Sequence, residues 1–184
     1  MLSQVQRRSR RLTSLALFAL LIMLAPMPAF AQGPEPPPLV ADTFTRVVFD
    51  PTTYAPALVA YDATLRDWNS SQVFFQKGFL EHNERYTISG RPNDVPMSYG
   101  AGRSRILTDA LINLQMSVAN NAADQVFERI LVDKFPEHRK LVRTLGWIER
   151  SVFASWLACS LAARHYEQAA DNQANAQRLG LHRR

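Results

Sequence analysis

Three long stretches of the chain repeat apolar residues at intervals of three and four, the spacing of one face of an α-helix. The first stretch runs from Pro56, which suits a first helical turn, to about Phe79. Polar residues interrupt it too often for a membrane span. The pattern therefore predicts an amphipathic helix. Its apolar face carries Leu58, Tyr61, Leu65, Trp68, Phe75 and Phe79, with Gln72 the one polar residue in that register.

Two further helices are predicted in the second half of the chain. One spans about Ser104 to Lys134, and the other begins near Pro136 and continues to Gly180, a residue suited to end a helix. The predicted inward face of the former carries Leu107, Leu111, Leu114, Val118, Ala122, Val126 and Ile130. The clearest stripe belongs to the latter, with Leu141, Leu145, Ile148, Val152, Trp156, Cys159, Ala163 and Tyr166.

The segments outside these helices have a different composition. Residues 32–55 begin with a proline run that cannot supply helix or ladder hydrogen bonds, so we expect a proline-rich linker and an extended segment. Within that segment only residues 45–49 have β-like composition. Residues 81–103 form a long loop with several glycines and prolines, and loops of this length are usually functional or disordered. Its aromatic and arginine residues favour a folded lid or a partner-binding loop.

Three amphipathic helices bury their stripes most simply against one another. The sequence thus predicts an all-α fold, a small bundle of three main amphipathic helices with one long loop. We expect a single helical domain over residues 56–180 and a basic tail over 181–184. The segment 151–163 carries no charge but is too short to span a bilayer. Membrane insertion of the third helix stays open as an alternative.

The first 31 residues have the order of a secretory signal, with four arginines, then an apolar run from Ser14 to Ala25, then a small-residue cleavage site ending at Ala31. We therefore expect a periplasmic or secreted protein. If the segment is not cleaved, the arginines hold its start in the cytoplasm and it anchors the protein in the inner membrane.

Charge and cysteine content narrow the function classes. The signal segment contains four of the 21 basic residues and none of the 16 acidic ones, so the mature chain keeps 17 basic residues and is nearly neutral. Nucleic acid is therefore not an expected partner. The single cysteine, Cys159, excludes an intrachain disulfide. Its place in the apolar stripe of the last helix predicts a core residue, with a reactive or pairing thiol as the alternative.

Catalytic patterns are sparse. No two of the four histidines have the four-residue spacing of helical zinc sites, and no phosphate-binding glycine loop or nucleophile elbow occurs. We predict no cofactor and no metal. The one cluster of histidine and carboxylates is His82 with Glu81, Glu84 and Asp94, which loop polarity explains equally well. An enzyme that uses Glu81, His82 and Glu84 as acid and base groups is one alternative.

Candidate interaction residues lie on the first helix and in the loop. Small and polar residues at steps of three and four form a second face of that helix, where another chain could approach closely or solvent could lie. Arginines around the loop could bind an anion. The candidates are Asp67, Ser71, Gly78, Glu81, Asn83, Arg85, Arg91, Tyr99 and Arg103.

Two short motifs resemble a pattern in small uncharacterised bacterial membrane proteins. Asp67-Trp68-Asn69-Ser70-Ser71 is followed by Gly78-Phe79-Leu80-Glu81-His82-Asn83. In those proteins a helix with Asp and Ser or Thr leads into Gly-x-x-Glu-x-Asn-Pro, and Glu84 stands here at the proline position. The resemblance covers roughly residues 56–163 and implies a layout of helix, loop, helix and helix. It implies no activity.

Three hypotheses follow from the sequence. The first is an exported, non-catalytic helical protein that acts by interaction with an unknown envelope protein or with itself. The second is a helical protein anchored at the inner membrane, so membrane association is possible. The third is an enzyme with acid and base residues in the 81–103 loop.

Overall fold

A computed structural model of the chain describes residues 39–181. The predicted signal peptide, the proline run and the last three residues of the tail lie outside this range. The described residues form an all-α bundle without strands, which confirms the predicted fold class. The helices are α1 (Leu39–Phe49), α2 (Ala55–Phe75), α3 (Tyr99–Lys134) and α4 (Arg139–Arg178), with short 3-10 turns at Pro51–Thr53, Glu84–Tyr86 and Pro136–His138.

The contacts of the chain divide between two compact units. The first unit comprises residues 39–54 and Leu114–Ala154, and the second comprises Ala55–Asn113 and residues 155–181. Both α3 and α4 therefore contribute one part to each unit. The sequence predicted one helical domain over residues 56–180 and did not indicate this division.

Helix α1 replaces the extended segment expected at residues 40–54. Asp42 and Arg46 form an ion pair one helical turn apart, with 3.1 Å between Nε and a carboxylate oxygen. Thr43 and Val47 are both buried at the same spacing. Of residues 45–49, whose composition suggested a strand, Val47 is buried in this helix whereas Thr45 and Phe49 are exposed, because tertiary context outweighs a weak intrinsic preference.

The long loop is shorter than predicted because α3 begins at Tyr99 rather than near Ser104. Gly102 is a helical residue, and a Cβ built there would come within 2.3 Å of the Trp68 indole. Its missing side chain therefore admits the indole ring against the helix backbone. The other end of the loop follows α2, which ends at Phe75 rather than Phe79, and Gly78 then takes a positive φ of 84°.

The second unit has an aromatic core. Trp68, Tyr86 and Ile106 are buried together, and the ring centroids of Trp68 and Tyr86 lie 5.5 Å apart. The predicted α2 face supplies much of the remaining packing, although Leu58 and Phe79 are exposed. The partly buried residues around this core are Tyr61, Leu65, Phe75 and Met97.

The interior of the first unit is polar. On α3 the buried positions are not the predicted apolar register but Ser117, Asn121, Gln125 and Glu128. The Asn121 amide donates to the hydroxyl oxygen of Thr53 at 2.8 Å. These residues recur at steps of four, four and three, so the same helical period describes a polar inward face.

That interior contains a buried arginine, Arg150, which binds three carboxylates. The Arg150 guanidinium donates from Nε to Asp50 at 2.9 Å and also forms ion pairs with Asp124 and Glu128. Gly146 lies one turn earlier on α4, and a Cβ there would come within 2.7 Å of a Glu128 carboxylate oxygen. A small residue at this position therefore leaves room for the charged cluster.

The apolar stripe of α4 faces the solvent, which corrects the prediction that it forms the core. In the first unit Leu145 is 55% exposed and Val152 is 64% exposed. In the second unit Cys159 is exposed, so the expectation that it is a core residue is wrong. Periodicity separates the apolar face of a helix from its polar face. It does not show which of the two is buried when the charged residues of the polar face can form ion pairs with other helices.

The end of α4 agrees with the sequence. Gly180 has a positive φ of 63°, and the Leu181 N–H donates to the Ala176 carbonyl at 2.8 Å. This geometry closes the last helical turn and is the usual role of glycine after a helix.

Membrane insertion of the third predicted helix was left open by the sequence. None of the helices between residues 39 and 181 is both long and apolar enough to cross a bilayer.

Candidate functional site

A cleft of about 440 Å³ lies in the second unit. Its wall combines α2, the loop after α2 and the second half of α4. Three carboxylates, two imidazoles and one guanidinium face it, so it is rich in polar and ionisable groups. The lining residues are Thr64, Asp67, Trp68, Ser71, Glu81, His82, Asn83, Glu84, Tyr86, Pro92, Arg164, His165 and Gln168.

An aspartate and a histidine are paired in the cleft wall. Asp67 Oδ2 lies 2.8 Å from His165 Nδ1. A carboxylate at one ring nitrogen favours a proton on that nitrogen and thereby orients the ring. Nε2 of His165 is then the ring nitrogen that is not hydrogen-bonded to Asp67.

Asp67 is held in place by a second set of hydrogen bonds. The Asn172 amide donates to Asp67 Oδ1 at 3.3 Å and to the Ser71 hydroxyl oxygen at 2.9 Å. The Ser71 hydroxyl in turn donates to the Asp67 backbone carbonyl at 3.0 Å. Because Asn172 is almost fully buried, this network fixes the carboxylate against α4.

The loop wall is ordered by its own backbone hydrogen bonds. Glu81 and Asp94 exchange two of them, at 2.8 and 3.1 Å, in an antiparallel bridge. Asn83 begins the 3-10 turn, and its side-chain oxygen accepts from the Arg85 N–H at 3.0 Å. The loop therefore presents Glu81 and Asn83 to the cleft from a folded scaffold.

Burial changes the proton affinity of two groups in the wall. Burial raises the pKa of Glu81, although the Asn83 N–H donates to its carboxylate at 2.7 Å and acts in the opposite direction. The negative charge of Asp67 adds to the upward shift. Burial raises the pKa of Tyr86 to about 12, so its hydroxyl keeps its proton at neutral pH.

Four of the residues singled out from the sequence line this cleft, namely Asp67, Ser71, Glu81 and Asn83. The sequence placed them on or just after one face of the first helix, and the fold brings them to one wall. His82 and Glu84, proposed as acid and base groups, also line it. His82 Nδ1 lies 2.7 Å from the side-chain oxygen of Asn93.

The remaining candidates lie elsewhere. The Arg85 guanidinium donates to both carboxylate oxygens of Asp109, from Nε at 2.7 Å and from Nη2. The Arg103 guanidinium lies 5.8 Å from the centre of the Tyr99 ring. Arg91 is exposed, and Gly78 occupies the turn after α2. The arginines of the loop are therefore not gathered at one anion site.

Three further lining residues were not predicted from the sequence, and they lie on the side of α4 opposite its apolar stripe, where Arg164 and Gln168 are exposed. They are Arg164, His165 and Gln168. The apolar stripe on the opposite face of the same helix is the stronger pattern and conceals them. A polar periodicity from Arg150 through His165 to Asn172 was the available signal.

The polar groups do not assemble into a metal centre within the described range. No group of three or more His, Cys, Asp or Glu side chains between residues 39 and 181 is arranged to hold a metal ion.

Comparison with protein-family models, curated proteins and solved structures found no significant match to this chain.

Proposed function

We propose that this chain is an exported helical protein that acts by binding other protein surfaces, and that the outward apolar face of α4 is the surface it uses. The observation that carries the proposal is the exposure of that face in the first unit. Leu141, Leu145, Ile148 and Val152 are between 44% and 64% exposed. The inward face of the same segment holds the charged side chain of Arg150.

The energetic argument concerns the exposed apolar area. Removing such area from water contributes roughly 25 cal/mol per Å², so burying the exposed part of each of these side chains contributes about 1 kcal/mol. Contiguous exposed apolar patches mark interaction surfaces on soluble proteins. A partner that covers this face therefore stabilises the protein without any change in its polar interior.

The first occupant we propose is a second copy of the chain. The four residues recur at steps of four, three and four, which is the spacing that lets two helices interlock along one seam. No charged residue falls in this register. A symmetric pair of identical chains needs one self-complementary patch, and an uncharged apolar stripe meets that requirement.

The test compares the oligomeric state of the exported chain and two variants by light scattering during size exclusion. Leu145→Glu combined with Val152→Glu places charges on the stripe at positions that are exposed in the monomer, so the fold should persist and the dimer should dissociate. Thr144→Glu is the matched control, because Thr144 is exposed on the same helix outside the stripe. Circular dichroism checks the helix content of each protein.

Two outcomes would contradict the proposed self-association. A wild-type chain that is monomeric up to about 100 µM, with no crosslinked partner in native envelope, would refute the interaction role. A monomer that floats with lipid vesicles would instead assign the apolar face to a membrane surface, in agreement with the alternative of a membrane-associated protein. Intact mass of the exported chain tests the location, and we expect a soluble species that begins at Gln32.

A second candidate function is acid and base catalysis in the cleft. The pairing of His165 with Asp67, in the same cleft as a Glu81 carboxyl group whose pKa is raised by burial, favours it, because general acid–base catalysis uses a base and an acid of these kinds. Chromogenic esters, glycosides and phosphates would serve as substrates. Activity that is lost in both Glu81→Gln and His165→Gln but retained in Asp62→Asn would support this function, and inactivity towards all three classes would count against it.

A further inference from the structure

The first unit contains a second concave site, separate from the apolar face of α4. It encloses about 270 Å³. Four guanidinium groups and three carboxylates line it, so its lining carries one excess positive charge. The charged lining residues are Asp42, Arg46, Glu128, Arg129, Asp133, Arg139 and Arg143.

Two polar groups in this site lack a partner among the described residues. Gln125 is 6% exposed and lines the cavity, yet its Oε1 accepts no hydrogen bond between residues 39 and 181. The Nε of Arg143 is also buried, and it donates no hydrogen bond within the same range. A buried acceptor or donor without a partner costs free energy, and a ligand that pairs with both removes this cost.

The arginines retain capacity for a further anion. Arg143 Nε lies 3.8 Å from the Glu128 carboxylate, and Arg46 Nη1 lies 3.7 Å from it. Both distances exceed hydrogen-bond length, so these contacts are electrostatic and leave N–H donors available. Arg139 forms no ion pair within 4 Å among the described residues, and it stands at the positive end of α4.

The Gln125 oxygen and the Arg143 Nε, which lack hydrogen-bond partners among the described residues, narrow the chemical class of the anion. A carboxylate or a sulfate offers acceptors alone and cannot donate to the Gln125 oxygen. Free hydrogen phosphate offers oxyanions to the guanidinium groups and keeps one P–OH donor near neutral pH, whereas a phosphate monoester keeps that donor only as its monoanion, below a second pKa of about 6. From this cavity we infer a binding site for a phosphate group that carries its own proton, held by Arg139 and Arg143 with its hydroxyl donating to Gln125.

The decisive comparison uses phosphate and sulfate, which have the same shape and, near pH 7.5, nearly the same charge but differ in the P–OH donor. Calorimetric titration of the exported chain at constant ionic strength should show phosphate binding about tenfold more tightly than sulfate, the change expected from one hydrogen bond. Equal affinity for the two ions would overturn the assignment to phosphate. Absence of binding by either ion would overturn the site itself.

Three variants test which contact each residue makes with the bound ion. Gln125→Leu should lower phosphate affinity to the level of sulfate and leave sulfate binding unchanged. Arg139→Gln, at an exposed position that the fold tolerates, should weaken both ions about tenfold. Lys140→Gln is its control, because it removes one positive charge from the next residue, which does not line the cavity, and should change neither affinity by more than about twofold. If Lys140→Gln and Arg139→Gln weaken binding equally, the effect is general electrostatics and the site is refuted.

A phosphate monoester can belong to a soluble metabolite or to a lipid headgroup. At about pH 5.5, where a monoester is largely the monoanion that keeps its P–OH, competition by glycerol phosphate in solution would support the site with a soluble ligand. Co-sedimentation with phosphatidic acid vesicles that Arg139→Gln abolishes would support it with a lipid ligand. Failure of this site would leave the proposed self-association through α4 intact, because no residue of the cavity belongs to the apolar stripe.

Discussion

At the residue scale, small side chains at two positions determine what can pack against the long helices. Gly102 admits the Trp68 indole in the second unit, and Gly146 leaves room for the Glu128 carboxylate in the first. Neither glycine needs its backbone freedom, since both lie within helices and neither has a positive φ. Their role is to leave space, which the sequence does not reveal because the partner lies far away along the chain.

Gly102→Ala should therefore lower the free energy of unfolding by about 1 to 3 kcal/mol, because the new methyl group collides with a buried ring. Gly100→Ala is the matched control. It lies in the same first turns of α3 with open space around it, so the substitution should raise stability by up to about 1 kcal/mol. Urea unfolding followed by circular dichroism measures both changes. Equal effects would show that the indole does not occupy the position described.

Glu81 makes the stability of the second unit depend on pH. Its pKa is raised by burial, so it binds a proton more tightly in the folded protein than in the unfolded chain. The stability that this difference contributes is fully present below the unfolded pKa, near 4.5, and is lost as pH rises through the folded pKa.

Glu81→Gln should thus be more stable than the wild type near pH 7, and the advantage should disappear near pH 4. Glu84→Gln, on the same cleft wall, corrects for the loss of one negative charge. Unfolding free energies at the two pH values measure the effect. A difference that is independent of pH would contradict the described burial of the Glu81 carboxyl group.

At the element scale, α4 combines an apolar outer face with a polar inner face. The predicted stripe was correct in its period and wrong in its orientation. The inner face of α4 carries Arg150 in the first unit, and Ala162 and Asn172 in the second. Charged and amide groups can occupy an interior when ion pairs and hydrogen bonds satisfy them, and such pairing depends on residues distant in sequence.

Two leucines of α4 test this orientation with the same substitution. Leu157→Ala should destabilise the protein by about 2 to 5 kcal/mol, because Leu157 is 5% exposed and its loss leaves a cavity. Leu145→Ala should cost less than about 1 kcal/mol in dilute solution, because Leu145 is largely exposed. Thermal unfolding at a protein concentration below the dissociation constant of the dimer separates the two. If Leu145→Ala destabilised the protein more than Leu157→Ala, the apolar stripe and not the opposite face of α4 would be the buried one.

At the scale of the whole molecule, the two units differ in what they bury: the second has an aromatic core around Trp68, whereas the first has a largely polar interior. The first unit buries Gln125, Glu128 and Arg150 while Phe44 and Phe127 are exposed. Such a distribution leaves less apolar burial to offset the conformational entropy of folding. The stability of the molecule is therefore expected to depend on whatever covers its apolar surface.

A self-associating chain should accordingly unfold at a temperature that rises with its concentration, since a partner that binds only the folded state stabilises it by mass action. Over a hundredfold range of concentration we expect an upward shift of several degrees in the wild type. The combined Leu145→Glu and Val152→Glu variant should show no shift. A concentration-independent transition in the wild type would contradict association through this face.

Part of the candidate site was accessible from the sequence. Asp67, Ser71, Glu81 and Asn83 follow one helix and its adjoining loop, so local spacing alone predicts that they lie close together. His165 and Asn172 were not accessible, because their contacts with Asp67 span about a hundred residues of chain and no local pattern encodes them. The resemblance to small bacterial membrane proteins and the predicted signal segment stay predictions.

The sequence by itself determined that the described chain is helical, roughly where α3 and α4 end, and that Gly180 closes the last helix. These are local properties, set by apolar period and by residues that start or stop a helix within a few positions. Only the tertiary structure decided that α1 is a helix and which face of α4 is covered. It also decided that one arginine meets three distant carboxylates. Those outcomes depend on pairing between residues far apart in the chain. A charged face of a helix can be buried only where oppositely charged side chains from other segments form ion pairs with it.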